Sequence, residues 1–166
     1  MKPSFTLRPV TTDDEAILWQ MLYYAAHMHE EAGRTVADAM QNLALVKYVT
    51  HWGRTGDLGY VAEVAGQPVG AVWVRLFAGE DKAYSPTDDV TPELAIAVLP
   101  EYIGQGIGTA LMALLIDNAR LRYPAVALNV RADNPALRLY RRLGFVVVGE
   151  MENRVGGRSY DMRLVF

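Results

Sequence analysis

Three glycines at alternate positions, Gly104, Gly106 and Gly108, stand between an unbroken apolar segment and a helix-forming one. The segment before them, Glu93 to Leu99, reads Leu94-Ala95-Ile96-Ala97-Val98 at its centre. A strand this apolar has no wet face, so both its faces must be covered. A covered strand, a glycine turn and a helix in succession require a layered α/β domain, with helices packed on a sheet. The glycines let the backbone approach a ligand and turn several amides one way. The start of the following helix, expected from about Gly108 to Arg122, adds free amides and a partial positive charge. Such a turn suits a phosphate or pyrophosphate. It is not a P-loop, because Thr109-Ala110 stand where that loop has Lys followed by Ser or Thr. It is not the dinucleotide fingerprint either. Gly108 follows Gly106 by two places rather than three, and the next strand ends in Leu128-Asn129-Val130 without an acidic residue. On glycine spacing alone, a turn that holds nothing stays open.

The rest of the chain supplies the other layers. Phe5 to Val10 reads as a first strand. Thr12 and Glu15 are spaced as a capping box, and Ile17, Met21, Tyr24 and Met28 put one apolar stripe on a helix from about Asp13 to Glu31. Gly33 ends it. Val36 to Thr50 reads as a second, weaker helix. Leu58 to Ala65 and Val69 to Phe77 form a hairpin about Gly66 and Gln67. Gly79 to Pro92 is a polar loop long enough to be functional. Ala125 to Val130 is a buried strand. A helix starting at Pro135 runs to about Leu143 and is capped by Gly144. Phe145 to Gly149 and Ser159 to Val165 close the order as two strands.

Composition limits the function classes. The chain has 166 residues, 51% of them hydrophobic, and no cysteine. That excludes disulfides, thiolate metal sites and a cysteine nucleophile, and it fits a cytoplasmic setting. No apolar run approaches the ~20 residues that span a bilayer, and residues 1–10 lack a secretory apolar stretch. A net charge of −3 argues against nucleic acid as a partner. The charge divides unevenly. Residues 1–92 hold 7 basic and 12 acidic groups; residues 93–166 hold 9 basic groups, all arginine, and 7 acidic ones. This fits an anionic ligand in the second half and a cationic one facing the first, or ordinary surface variation.

A second stretch narrows the reading. Asn134 and Pro135 lead into Leu139-Tyr140-Arg141-Arg142-Leu143-Gly144-Phe145. Together with Ile103-Gly104-Gln105-Gly106-Ile107-Gly108, this resembles the GNAT superfamily of acetyl-CoA-dependent N-acetyltransferases. That family carries [Arg/Gln]-x-x-Gly-x-[Gly/Ala] after its fourth strand, and an Asn followed by a helix ending Leu-Tyr-x-x-Leu-Gly-Phe. Leu7-Arg8-Pro9-Val10 and Leu99-Pro100-Glu101-Tyr102 look like the family too. The resemblance covers the chain and implies a single domain over 1–166. Its fold would be α/β (α+β), a mixed, largely antiparallel sheet of about seven strands flanked by about four helices. One departure is Ile103, where the family has Arg or Gln. Backbone amides supply most of the grip on pyrophosphate, and Gln105 is placed to substitute in part.

The resemblance implies acetyl-CoA as cosubstrate, no metal, and direct transfer to a primary amine in a ternary complex. The acceptor would be a small molecule or a peptide. Ile103, Gly104, Gln105, Gly106, Ile107, Gly108 and Thr109 would hold the pyrophosphate. The backbone of Ile96, Ala97 and Val98 would polarise the thioester carbonyl and pair with the pantetheine arm. Asn134 would bond that arm, cap the next helix, or both. Tyr140 is the candidate general acid, since a phenol near pKa 10 roughly matches a thiol leaving group; only packing the helix or bonding the cofactor sulfur is its other reading. Glu93 is the candidate base, directly or through water. A non-catalytic acyl-CoA-binding sensor is the competing function. His27 and His29 are expected on different helix faces and His51 in a loop, none as a metal ligand. Trp19, Tyr23, Tyr24 and Met28 would line an acceptor pocket or the core. Glu80, Asp81, Asp88 and Asp89 would draw a cationic acceptor or simply be solvated. A homodimer is compatible with all of this.

Overall fold

A computed structural model of the chain describes residues 4–77, 88–153 and 155–166. The elements follow as β1 (Thr6–Pro9), α1 (Glu15–Ala25), α2 (Val36–Met40), β2 (Leu58–Val64), β3 (Gln67–Arg75), β4 (Glu93–Val98), α3 (Ile107–Ala119), β5 (Ala125–Arg131), α4 (Leu137–Arg142), β6 (Val146–Glu152) and β7 (Arg158–Val165). The strands form one seven-stranded sheet in the order β1-β2-β3-β4-β5-β7-β6. β4 and β5 pair in parallel, whereas β1–β2, β2–β3, β5–β7 and β6–β7 are antiparallel. The mixed, mostly antiparallel sheet with four α-helices is the architecture that the sequence leads one to expect. Glu80 and Asp81 lie outside the described residues.

The chain divides into two compact units, Met1–Arg75 with Ala95–Asn118, and Leu76–Leu94 with Ala119–Phe166. In the first, Leu18, Met21, Val61, Ala71, Val72, Trp73, Leu111, Met112 and Leu115 are fully buried. Gly59 opposes Trp73 in the β2–β3 ladder. A Cβ on Gly59 would lie 2.8 Å from that of Trp73, so the close packing of the two strands admits only glycine there. The capping box falls one residue earlier than the spacing suggests. Thr11 and Asp14 form it around a short 3-10 turn, and α1 starts at Glu15. Asp14 is pulled into this role by Arg8, whose guanidinium donates to both its oxygens at 2.7 and 2.9 Å. Glu15 instead accepts from the His51 amide.

The helix expected to reach Glu31 stops at Ala25. His27 takes a left-handed conformation (φ 58°) and a 3-10 turn, Met28–Glu30, follows. The apolar periodicity still reports burial correctly, for Met28 is 2% exposed. No glycine marks the break, so the sequence pattern passes straight over it. The second helix shortens likewise to Val36–Met40, capped by Thr35 and Asp38, with a separate 3-10 turn at Val46–Tyr48.

In the second unit, β5 lies between β4 and β7. Val126, Leu128 and Val130 alternate with Ala127 and Asn129 along it, and β7 opposes Leu128 with the fully buried Met162. α4 begins at Leu137, two residues later than Pro135 implies, because the Asn134 side chain holds Pro135 and Ala136 in a turn ahead of the helix. Its end is fully determined by Gly144 (φ 102°). The Phe145 amide donates to the Tyr140 carbonyl at 3.0 Å and the Gly144 amide to that of Arg141 at 3.1 Å. These two bonds are the Schellman pattern, which satisfies carbonyls that the helix end leaves unpaired.

Candidate functional site

In the first unit, β4 leads through a 3-10 turn at Pro100–Tyr102 into the glycine loop. Gly104 and Gly106 both have positive φ, 83° and 86°. A Cβ at either would meet nothing within 4 Å, so these glycines serve backbone conformation and leave the space above the loop open. Gly108 differs: its φ is not positive, and a Cβ would touch only Val98 at 3.8 Å. The first bond into α3 runs from the Ala110 amide to the Gly106 carbonyl at 3.0 Å. The amides of Ile107, Gly108 and Thr109 are therefore the unpaired donors of a 13-residue helix. An anion fits this arrangement by conformation and by charge. Ile103 is 67% exposed and adds no polar atom to the turn. Gln105 directs its amide back into the turn. Its Nε2 donates back to the Glu101 carbonyl at 3.3 Å, while its Oε1 is buried without a partner. Gln105 braces the loop from within. Ile96, Ala97 and Val98 are half-buried along β4.

Farther along the same unit, the broken helix changes the histidine geometry. His27 and His29 were expected on different faces, yet their rings stack 6.1 Å apart, and His29 also meets Tyr24 at 4.9 Å. The chain turns at His27 instead of advancing by helical steps. Tyr23 and Tyr24 are half-buried, whereas Trp19 and Met28 are core residues. His51 sits exposed with a positive φ. A feature without a signal in the spacing is Arg75. It is 1% exposed and grips Asp57 with two hydrogen bonds of 2.9 and 3.0 Å. It also donates to the Lys47 and Thr50 carbonyls and lies 5.4 Å over the Trp52 ring.

In the second unit, Tyr140 is 6% exposed on α4, its ring centroid 6.1 Å from that of Phe145. Burial pushes its phenol up to about 12, because the phenolate would be stripped of water. Asn134 uses its Oδ1 to accept from the Ala136 amide at 2.9 Å, a turn ahead of α4 and not a side-chain cap of that helix, whose N-cap is Ala136. Glu93 is 4% exposed and stands opposite Ala127, which in turn stands opposite Arg163. In-register residues share a sheet face, so Glu93 and Arg163 belong to one row. Arg163 donates to Asp88 and, at 2.7 Å, to Thr91. That guanidinium, with Thr91 and the Val90 amide, lowers the Asp88 carboxyl to about 2. The Asp88 charge is therefore compensated locally rather than spread toward a cationic visitor. On the same face two residues along, Asn129 donates to Asp161 at 3.0 Å, with Asp161 6% exposed. Sequence reading passed over this polar row. Its one signal was Asn129, a polar residue inside an otherwise apolar strand.

A family described as acetyltransferase (GNAT) domain matches residues 55–147, more than half of the chain. An N-alpha-acetyltransferase from Sulfurisphaera tokodaii is 34% identical over 110 residues, 63% of this chain and 66% of that protein. The RimI N-alpha-acetyltransferase of Mycobacterium tuberculosis is 47% identical over 72 residues, 41% of this chain and 44% of its own length. The chain thus matches less than two thirds of the length of either curated relative. Among solved structures, a ribosomal-protein-alanine N-acetyltransferase from Brucella melitensis superposes with a TM-score of 0.71 at 23% identity, covering 97% of this chain and 99% of that one. That likeness is one of fold.

Proposed function

We propose, from the premise that this chain belongs to the GNAT acetyltransferase family, that it moves an acetyl group from acetyl-CoA to the α-amine of a peptide. The observation that carries the reading is the Gly104–Thr109 turn, with two left-handed glycines opening directly onto the unpaired amides of α3. The backbone there binds the pyrophosphate, and the β4 backbone at Ile96, Ala97 and Val98 orients the thioester. The neutral amine attacks the thioester carbonyl carbon. A C–N bond forms, the C–S bond breaks, the nitrogen gives up a proton and the departing sulfur takes one. Glu93, directly or through water, receives the first. Tyr140 supplies the second.

The pKa of Tyr140 refines that last step. A phenol pushed up to about 12 stays protonated at every working pH, so the donor is always loaded. Complete transfer to a thiolate of ordinary basicity, ~8.5, would be uphill by about 5 kcal/mol. Tyr140 therefore acts first by hydrogen-bonding the sulfur as charge builds there. The α-amine is proposed because the relatives' names specify it, and because its pKa of ~8 leaves much of it neutral near pH 7.5, unlike lysine at ~10.4. A base of modest strength then suffices.

Thiol release from acetyl-CoA in the presence of N-terminal peptides, with free lysine and polyamines beside them, tests this. Tyr140→Phe is expected to lower kcat by roughly a hundredfold or more while acetyl-CoA binding by calorimetry stays close to wild type. Binding without turnover on any amine would favour the sensor reading instead. Loss of acetyl-CoA binding altogether in the wild type would end both.

A further inference from the structure

Arg163 takes no part in the reaction described above, yet it stands on the row that carries the proton acceptor. The strands run in the order β4-β5-β7, so an arginine on β7 meets the approach to β4 only by crossing β5. Arg163 makes that crossing. Its Nη2 donates to Asp88 and, at 2.7 Å, to Thr91 Oγ1. The residue between the two strands in this register is Ala127, and a methyl group leaves room for a guanidinium to pass over it. Thr91 is 0% exposed and precedes Glu93 by two residues. The Pro92 carbonyl between them accepts from the Ala127 amide at 3.0 Å. Just ahead of Glu93 the chain is thus tied to β5 by its backbone and to β7 through Arg163.

The guanidinium sits unevenly between water and sheet. Its Nη2 end reaches Asp88, whose side chain is 47% exposed, so water screens that pair. Its Nε is buried and has no hydrogen-bond partner among the described residues. The less screened part of the charge therefore lies over the buried part of the row, where Glu93 is 4% exposed. Asp88 and the exposed Asp89 stand on the approach to β4. The other charged groups on this face are Asp161 on β7, which receives the Asn129 amide, and Arg131 on β5. β6 adds none, for Val146, Gly149 and Met151 stand opposite Arg163, Asp161 and Ser159. We propose that Arg163 is a positioning residue for the proton-accepting step: reaching across Ala127 to Thr91, it sets the place of Glu93 at the start of β4 and favours its ionised form. An opposite charge nearby does so by stabilising a carboxylate over its acid. The proposal rests on the reading above in which Glu93 receives the amine proton.

The pH dependence of kcat/KM for one peptide acceptor tests it. The acceptor's own amine titrates alike with every variant, so a shifted acid limb belongs to the enzyme. Arg163→Met is expected to raise that limb by roughly one pH unit and to lower kcat about tenfold through misplacement of the base. Arg163→Lys keeps the charge without the planar fork, and should return the limb toward wild type while kcat stays low. Asp88→Asn uncovers the guanidinium and should lower the limb. Loss of a purely structural clamp would move the Met and Asn variants the same way, so opposite signs separate the two roles. Glu93→Gln is measured beside them. If it keeps the wild-type kcat and limb, the base reading falls and this proposal with it. If Glu93→Gln removes the limb but Arg163→Met leaves it in place, this proposal alone is overturned. Asp88→Asn alters an exposed side chain and keeps the test open should Arg163→Met not fold: a limb that it leaves unmoved or raises overturns the proposal.

Discussion

At the scale of single residues, three glycines of one motif have different physical reasons to be there. Gly104 and Gly106 hold conformations that an L side chain adopts at a cost of about 1–2 kcal/mol, although each has ample room for one. Gly108 has no such constraint and sits inside α3. Gly106→Ala is therefore expected to raise the KM for acetyl-CoA and lower stability. Gly108→Ala should be neutral, or more stable by up to ~1 kcal/mol through helix propensity. Steady-state kinetics and urea unfolding of the pair check this, and equal effects at the two positions would contradict it. Alternation of glycines in the sequence does not separate these cases. Backbone dihedrals do.

At the scale of elements, short-range signals served well where a helix end depends on its own residues. Leu143-Gly144-Phe145 announces the end of α4, since a left-handed glycine and two returning amides need nothing from elsewhere. The end of α1 comes at a non-glycine residue in the left-handed region, His27, and the apolar spacing gave no such notice. The segment from Lys47 to Asp57 is the extreme case, because Arg75 on β3 organises it from the core. The guanidinium binds the Asp57 carboxylate and two carbonyls at once, and the Asp57 carboxylate also accepts from the Gly53 and Arg54 amides. Arg75→Met should cost about 3–5 kcal/mol, because a carboxylate 4% exposed would lose its counter-charge. Urea unfolding measures it. A loss under 1 kcal/mol would mean that water replaces the guanidinium there.

At the scale of the whole molecule, titration links the groups that folding has shifted. Asp14 is lowered, first by the hydrogen bond from Arg8. Asp88 is lowered to about 2, first by Arg163. Both bind protons more weakly folded than unfolded, so their contribution is complete above the ordinary carboxylate value near 4 and is lost as the pH falls below it, for Asp88 toward about 2. Tyr140 works in the opposite direction at the other end. Its phenol ionises in the unfolded chain near pH 10 and in the folded one at about 12, so stability drains away as the pH rises across that interval. Melting temperature against pH should fall at both extremes. Asp14→Asn should flatten the acid limb, and Tyr140→Phe the alkaline limb. An acid limb unaltered by Asp14→Asn would show that its salt bridge with Arg8 does not persist in solution.

What the sequence determined by itself is what neighbours along the chain can enforce. The order of strands and helices follows from periodicity, the turn at Gly104 to Gly108 from residues that tolerate positive φ, and the Tyr140 helix from its own cap. Family membership was legible for the same reason, since both motifs are local strings. The tertiary structure decided everything that depends on residues far apart in sequence meeting. It tied Glu15 to the His51 amide and the Trp73 indole to the Tyr48 carbonyl. It buried Arg75 against Asp57, and set Glu93 and Arg163 in one row of the sheet. It also raised the Tyr140 phenol by removing water from around it. Burial, desolvation and long-range pairing are properties of the surroundings, and no single stretch of chain contains its own surroundings.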